Sequence, residues 1–471
     1  MPRTLRIPRA FPWFASVSCL LAGGVTLFSA SSSALQYRLP AGRAVQVVSP
    51  IPVNSGSPDL TFGLGGHVIS DAVLSEYVQA MVVQADGKVL VVGHQNGSGD
   101  VPHFVLRRFS ASGKPDLSFG AGGLVVTTIR QDSVADQASA VAVQADGKIL
   151  VAGYVFSGSH HSDFALVRYT SAGALDSSFG AQGKAITTVG NGSFPSGAHA
   201  VVVQPDGRIL VVGTASSGRE ASKVALLRYT ASGSLDPSFG DHGVSTTAVG
   251  SGAASDGEAM VLLKDGRILV AGSSGGASSV GGFALLRYLT GGKLDPSFGK
   301  QGKVMTVVGL SSGDQAASAR AVSVLPDGGI LLAGEAWVTV NGEPAVNVGL
   351  AKYHADGSLD RTFGAGGSAV TTGLNGVRFQ ALTALPSGKF LMTVNAFLAD
   401  SVNNYSLVRY LPTGNPDVTY GGKRNGAALL GGTQDIVQIA SSSRQPDGKV
   451  IIAGTVDVKG VSRITLARFN P

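Results

Sequence analysis

The sequence predicts an all-β protein: a seven-bladed β-propeller of four-stranded blades, its ring closed by an N-terminal strand that completes the last blade. Three observations predict it. A phrase of about sixty residues recurs seven times over the chain of 471 residues. Each copy holds runs with period-two hydrophobicity between turn residues, and no long stretch has a 3.6-residue apolar period. The repeat is also circularly offset, so the first copy begins with the end of a unit whose beginning lies at the C-terminus.

Three markers fix the count. A turn glycine stands at Gly87, Gly147, Gly207, Gly266, Gly328, Gly388 and Gly448. A basic–aromatic pair follows at Arg108-Phe109, Arg168-Tyr169, Arg228-Tyr229, Arg287-Tyr288, Lys352-Tyr353, Arg409-Tyr410 and Arg468-Phe469. An aromatic-glycine step falls at Phe62, Phe119, Phe179, Phe239, Phe298, Phe363 and Tyr420. The third marker precedes the first glycine, and the chain stops just after the last pair. Ser57–Ser70 is therefore expected to supply the outer strand of a blade whose inner strands lie between Ile436 and Phe469. An open solenoid would instead carry unlike capping repeats at its ends, and none is seen.

The second copy shows the elements in order. Ala138–Val143 alternates small or polar residues with Val, the signature of a strand. Asp146-Gly147 is a hairpin turn that needs a glycine's positive φ. Lys148–Ala152 is dense in Ile, Leu and Val, as a strand buried on both faces would be. Phe164–Tyr169 and Lys184–Val189 complete the unit. Charged residues are only 14% and Gly numbers 66, which suits short strands and tight turns and not helices.

The pattern VQ-x-DGKI-L-VAG, then LxRY, then G-x-LD-x-SFG-x-GG, resembles the delta-60 repeat of bacterial exported proteins and covers nearly the whole chain after residue 56. The resemblance implies a propeller-like repeat domain on surface or secreted proteins, with no established reaction. The departures are local: Pro386-Ser387-Gly388 replaces the Asp-Gly turn, Tyr420 replaces Phe, and Lys352 replaces Arg.

The first 34 residues read as a signal peptide. Arg3, Arg6 and Arg9 form a basic start, an apolar run follows from Phe11 to Phe28, and Ser32 and Ala34 fit a small-x-small cleavage site. The run is interrupted by Pro12, Ser16, Ser18 and Gly23-Gly24, which makes a poor spanning helix. Cys19 is the one cysteine, and Ser16 stands where a lipoprotein signal would carry Leu. Residues 35–56 are expected to be a linker and 57–471 the repeat domain. Export implies a periplasmic, cell-surface or secreted protein with no membrane span once the signal is removed. Removing the three leader arginines lowers the formal charge from +6 to +3. That weak, scattered charge argues against nucleic acid as a partner.

Asp116, Asp176, Asp236, Asp295 and Asp360 recur three residues before the aromatic of each Phe-Gly step. A residue repeated in every unit reads as scaffolding, so each is expected to accept backbone N–H bonds in an Asx-type turn. The repeated Arg is expected to pair with a neighbouring turn. His160-His161-x-Asp163 is the nearest approach to a metal motif, but adjacent histidines on an extended chain point oppositely. No metal or cofactor is expected, and no nucleophile elbow, HExxH or phosphate loop is present.

Variation gathers in two loop classes that emerge on one face, as in His94–Pro102, Tyr154–Ser162, Arg130–Gln137 and Gly250–Glu258. Tyr154, Phe194 and Trp337 are the aromatic contact candidates there. Eight residues before the turn glycines stand Gln79, Ser139, His199, Glu258, Arg320, Gln380 and Ala440. His199, Glu258 and Arg320 fall on consecutive units and would meet at the mouth of a central channel. The leading expectation is a binding scaffold for protein or glycan through the variable face. The alternatives are a lyase or hydrolase that uses His199, Glu258 and Arg320, and a structural cell-envelope component.

Overall fold

The structure is a computed structural model. It describes residues 36–38, 44–46, 56–96, 101–157, 161–190, 193–216, 221–250, 254–276, 279–309, 317–340, 343–371, 378–397, 403–420, 427–429 and 436–470. The predicted signal segment 1–34 lies outside them. Two compact units are present, Met1–Val53 and Asn54–Pro471. The described part of the first is an antiparallel pair, Gln36–Arg38 with Ala44–Gln46.

The second unit is all β. Each repeat forms an antiparallel meander, as in Glu76–Val83, Val89–Asn96, Pro102–Phe109 and Leu124–Thr127. The first strands of the repeats are Glu76–Val83, Ser133–Val143, Ser193–Val203, Ala254–Leu262, Ser318–Val324, Arg378–Ala384 and Ile436–Arg444. Each packs beside the next, and the last packs beside the first. The N-terminal strand His67–Ile69 pairs with Val461–Phe469 of the C-terminal hairpin.

Hydrogen bonding corrects the expected seven separate four-stranded blades. The strands of this unit form five sheets, three of four strands and two of eight. One eight-stranded sheet joins the second and third repeats through the single pair His161↔Ser193, and the other joins the fourth and fifth through Ser273↔Ser318. The physical reason is backbone pairing where neighbouring repeats touch: His161 and Ser193 open their strands, His161–Tyr169 and Ser193–Val203, and Ser318 opens Ser318–Val324 against Ser273 of Ile268–Gly276. Unpaired backbone at such an edge is satisfied by the neighbouring strand.

The core lies between successive repeats. Along Val89–Val92 the side chains alternate between neighbours. Leu90 and Val92 join Ile149 and Val151 of the second repeat, whereas Val89 and Val91 join Ile451 and Ala453 of the last. This is why the second strand of each unit reads as a continuous apolar run.

The recurrent polar residues hold the junctions, as expected. Asp116 accepts the backbone N–H and the hydroxyl of Ser118, an Asx turn, and also the Nε of Arg108 at 2.8 Å. The same arginine lies over Phe119, 4.3 Å from the ring centre, and donates through Nη1 to the Ser171 carbonyl of the next repeat at 2.6 Å. The pattern returns at Arg168, Arg228 and Arg287, and Arg468 reaches forward to the Ala111 carbonyl of the first repeat at 3.0 Å. Each buried Phe also abuts a glycine of the following unit. A Cβ at Gly173 would lie 3.0 Å from Phe119, and at Gly292 2.7 Å from Phe239.

Candidate functional site

The candidate site is built by a repeated backbone irregularity. In every repeat the pairing of first and second strands slips by one residue, between Val78/Ala80, Ala138/Ala140, Ala198/Ala200, Gly257/Ala259, Ala319/Ala321, Phe379/Ala381 and Ile439/Ser441. The extra residues are Gln79, Ser139, His199, Glu258, Arg320, Gln380 and Ala440. The set singled out by its distance from the turn glycine is thus a ring of β-bulge residues. A bulge leaves one residue without a cross-strand partner and re-aims its side chain.

A glycine faces six of the seven bulges: Gly93, Gly153, Gly213, Gly272, Gly334 and Gly454. Close backbone approach requires it. A Cβ on Gly213 would sit 1.8 Å from the Gly197 carbonyl oxygen, and one on Gly272 1.7 Å from that of Asp256.

Three bulge residues meet. The Nδ1 of His199 is 3.0 Å from the Gly257 carbonyl and 3.5 Å from Oε2 of Glu258. Arg320 donates from Nη1 to Oε1 of Glu258 at 2.8 Å. Glu258 is thereby held between an imidazole and a guanidinium drawn from the repeats on either side. Gln79, Ser139 and Gln380 occupy the same bulge on their own strands, half-buried, and take no part in this chain.

Beside His199 and Glu258 opens a cleft of about 240 Å³, lined also by Tyr154, Ser162, Ser196, Gly197, Thr214 and Asp256. Ser162, Ser196 and Thr214 are almost wholly buried, so its walls are packed. Gly197 gives the floor its shape: a Cβ there would lie 2.6 Å from the Tyr154 Cβ. Tyr154 donates its hydroxyl to Oε1 of Gln137, and burial raises its pKa. The Asp256 carboxylate is met by the hydroxyls of Ser222 at 3.1 Å, Ser273 at 3.2 Å and Thr214 at 3.4 Å. Among the described residues no cationic side chain pairs with Asp256.

Of the aromatic candidates, Tyr154 lines the cleft. Trp337 is 39% exposed on the fifth repeat, away from it. The side chain of Phe194 lies outside the described residues. So does His160. The Nε2 of His161 lies 3.1 Å from Asp163 Oδ1, an acceptor, and Asp163 is otherwise engaged by Thr188 and Arg130. No group of three metal-ligating side chains assembles among the described residues. No helix of the described chain is long and apolar enough to cross a membrane. The lining residues that sequence reasoning missed, Ser162, Ser196, Thr214 and Asp256, stand inside or beside the variable segments. Ser162 and Asp256 lay within stretches already marked, Tyr154–Ser162 and Gly250–Glu258.

A family model matches the repeats. Residues 84–119, 144–179, 204–239, 263–298, 325–363 and 445–471 match the model described as domain of unknown function (DUF5122) beta-propeller. The chain is a β-propeller repeat protein. No curated protein matches it. Among solved structures it is similar to the α-L-arabinofuranosidase Arb93A of Fusarium graminearum, at 10% identity and TM-score 0.43 over 70% of this chain and 91% of that one. It is similar also to an α-L-arabinanase of Penicillium chrysogenum, at 11% identity and TM-score 0.40 over 70% and 92%. A prolyl endopeptidase aligns at 10% identity and TM-score 0.41 over 89% of this chain and 51% of its own.

Proposed function

We propose that this chain is an exported binding propeller of the delta-60 kind that takes a glycan through its variable face, in the cleft beside His199 and Glu258. Export rests on the leader-like first 34 residues, and the delta-60 kinship on the repeated sequence motif. One observation carries the glycan reading. The cleft combines an aromatic ring, an imidazole, two carboxylates and several buried hydroxyls within a packed wall. A few placed polar groups beside an aromatic surface are what a polyhydroxylated ligand requires. Its volume is below the roughly 300–1,000 Å³ of pockets that enclose drug-sized ligands, so it suits one ring at the end of a chain.

The lyase or hydrolase reading is less well supported. General acid–base work needs a group free to exchange a proton with substrate. Glu258 is instead engaged by Arg320 on one oxygen and faces His199 with the other.

The test is a glycan array probed with the purified protein and with Tyr154→Ala. Saturable binding that the substitution weakens at least tenfold, with an unchanged melting curve, is the expected result. Binding that is indifferent to Tyr154, or no glycan bound at all, would overturn the reading.

A further inference from the structure

We infer that the cleft selects a sugar bearing a free amino group. The inference rests on the glycan reading and narrows it. Its basis is the direction of the hydrogen bonds in the wall. The Gly257 carbonyl can only accept, so the His199 Nδ1 at 3.0 Å carries a proton, and in the neutral imidazole this tautomer makes Nε2 an acceptor. Tyr154 directs its hydrogen to Gln137, Ser162 to the Ser196 carbonyl, and Thr214 to Asp256. The hydroxyl donors of Tyr154, Ser162 and Thr214 are thus committed within the wall. The lone pairs of Asp256, Glu258 and the His199 Nε2 remain.

A wall rich in acceptors matches a ligand rich in donors. An ammonium group has three N–H donors and no acceptor, whereas a neutral hydroxyl brings lone pairs as well. Charge points the same way. Glu258 is neutralised by Arg320, but among the described residues Asp256 is met by hydroxyls alone, so the described lining retains one negative charge with no paired cation. A phosphate or carboxylate would meet these acceptors with like charge. The hydroxyls of Ser222, Ser273 and Thr214 fix the Asp256 carboxylate in place before a ligand arrives.

The experiment is calorimetric titration of the full chain with glucosamine, glucose, N-acetylglucosamine and Nα-acetyl-lysine amide. Glucosamine is expected to bind saturably and at least about tenfold more tightly than each of the others. Asp256→Asn, which keeps the shape and removes the charge, is expected to bring glucosamine down to the level of glucose. Equal binding of glucose and glucosamine overturns the inference, as does failure of all four to bind. Tighter binding of the lysine amide overturns the sugar assignment. The four-ligand comparison needs no variant, so it holds even where Asp256→Asn fails to fold. If Tyr154-dependent array binding persists without amine preference, this inference fails and the glycan reading survives.

Discussion

The chain contains its own control for what holds the repeats together. Arg287 donates from Nε to Asp295 at 2.8 Å and from Nη1 to the Ala355 carbonyl of the next repeat at 2.5 Å. Its guanidinium also lies 4.4 Å from the Phe298 ring centre. Lys352 occupies the equivalent place one repeat later. It pairs with Asp360 at 3.4 Å and with the exposed Asp327 at 2.8 Å, but no cation covers Phe363 among the described residues. Replacing Arg287 by Lys keeps the charge and removes the fork. The loss is one charge-assisted bond to the Ala355 carbonyl, about 1.5–3 kcal/mol, and one desolvated cation–π contact, about 0.5–2 kcal/mol. Part is recovered by the ammonium, so a net cost of about 2–3 kcal/mol is expected. The converse change, Lys352→Arg, is expected to stabilise by about 1–2 kcal/mol, since the exposed pair it forgoes contributes little. Urea unfolding midpoints at constant slope measure both. If Arg287→Lys shifts stability by less than about 0.5 kcal/mol, or Lys352→Arg lowers it, the guanidinium fork is not what ties the repeats together.

Acid should loosen these junctions in a defined window. The Ser297 hydroxyl is the largest influence on Asp295, opposed by burial and aided by the Ser297 N–H and Arg287, and it holds the carboxyl at about 2. Ser118 does the same for Asp116. A carboxyl depressed in the folded state stabilises above its unfolded pKa of about 3.9, and that stabilisation is lost as pH falls from about 4 toward 2. Asp295→Asn should flatten the acid limb of the stability–pH curve, and an unchanged slope would refute the assignment. Asp136 behaves oppositely: burial raises its pKa, Oδ2 accepts the Ile129 N–H at 2.7 Å and Oδ1 has no hydrogen-bond partner among the described residues. Asp136→Asn should therefore leave the melting temperature nearly unchanged, while Asp136→Ala should lower stability by about 1–3 kcal/mol by orphaning that N–H. Phe62→Ala should cost about 3–5 kcal/mol. Its ring is fully buried beneath Arg468 and against Gly113, where the last repeat meets the first. A melt indistinguishable from the parent would show that this junction does not limit stability.

What was legible in the sequence is what every repeat must do. The Asp of each Phe-Gly step, the Arg beside the aromatic and the turn glycine recur because each meets an equivalent neighbour, and their roles follow from recurrence alone. The merging of sheets was not legible. It depends on one residue pair at each place, His161↔Ser193 and Ser273↔Ser318, which none of the recurrent markers signals. The cleft was legible only in part for the same reason. His199, Glu258 and Arg320 share a constant distance from the turn, but Asp256 occurs once at its place in the repeat, and Ser162 and Thr214 return in only some copies, as Ser222 and Ser462 and as Thr455.

The bulge carries a signal that could have been counted. Each bulge residue stands eight positions before the turn glycine, and the residue facing the slip stands six after it. In the third repeat four ladder pairs, Val203↔Ile209 through Ala200↔Val212, separate the turn from the slip. Six of the seven facing residues are glycine, which invites the view that glycine causes the bulge. The sixth repeat argues otherwise: there Phe379 faces Val394, and the register still slips at Gln380. The slip falls at the same count from the turn with or without that glycine, and glycine relieves the close approach that follows. Side-chain identity at the bulge is therefore free of the fold's demands. That freedom is what lets a histidine, a glutamate and an arginine occupy three successive copies of a position that carries alanine in the last.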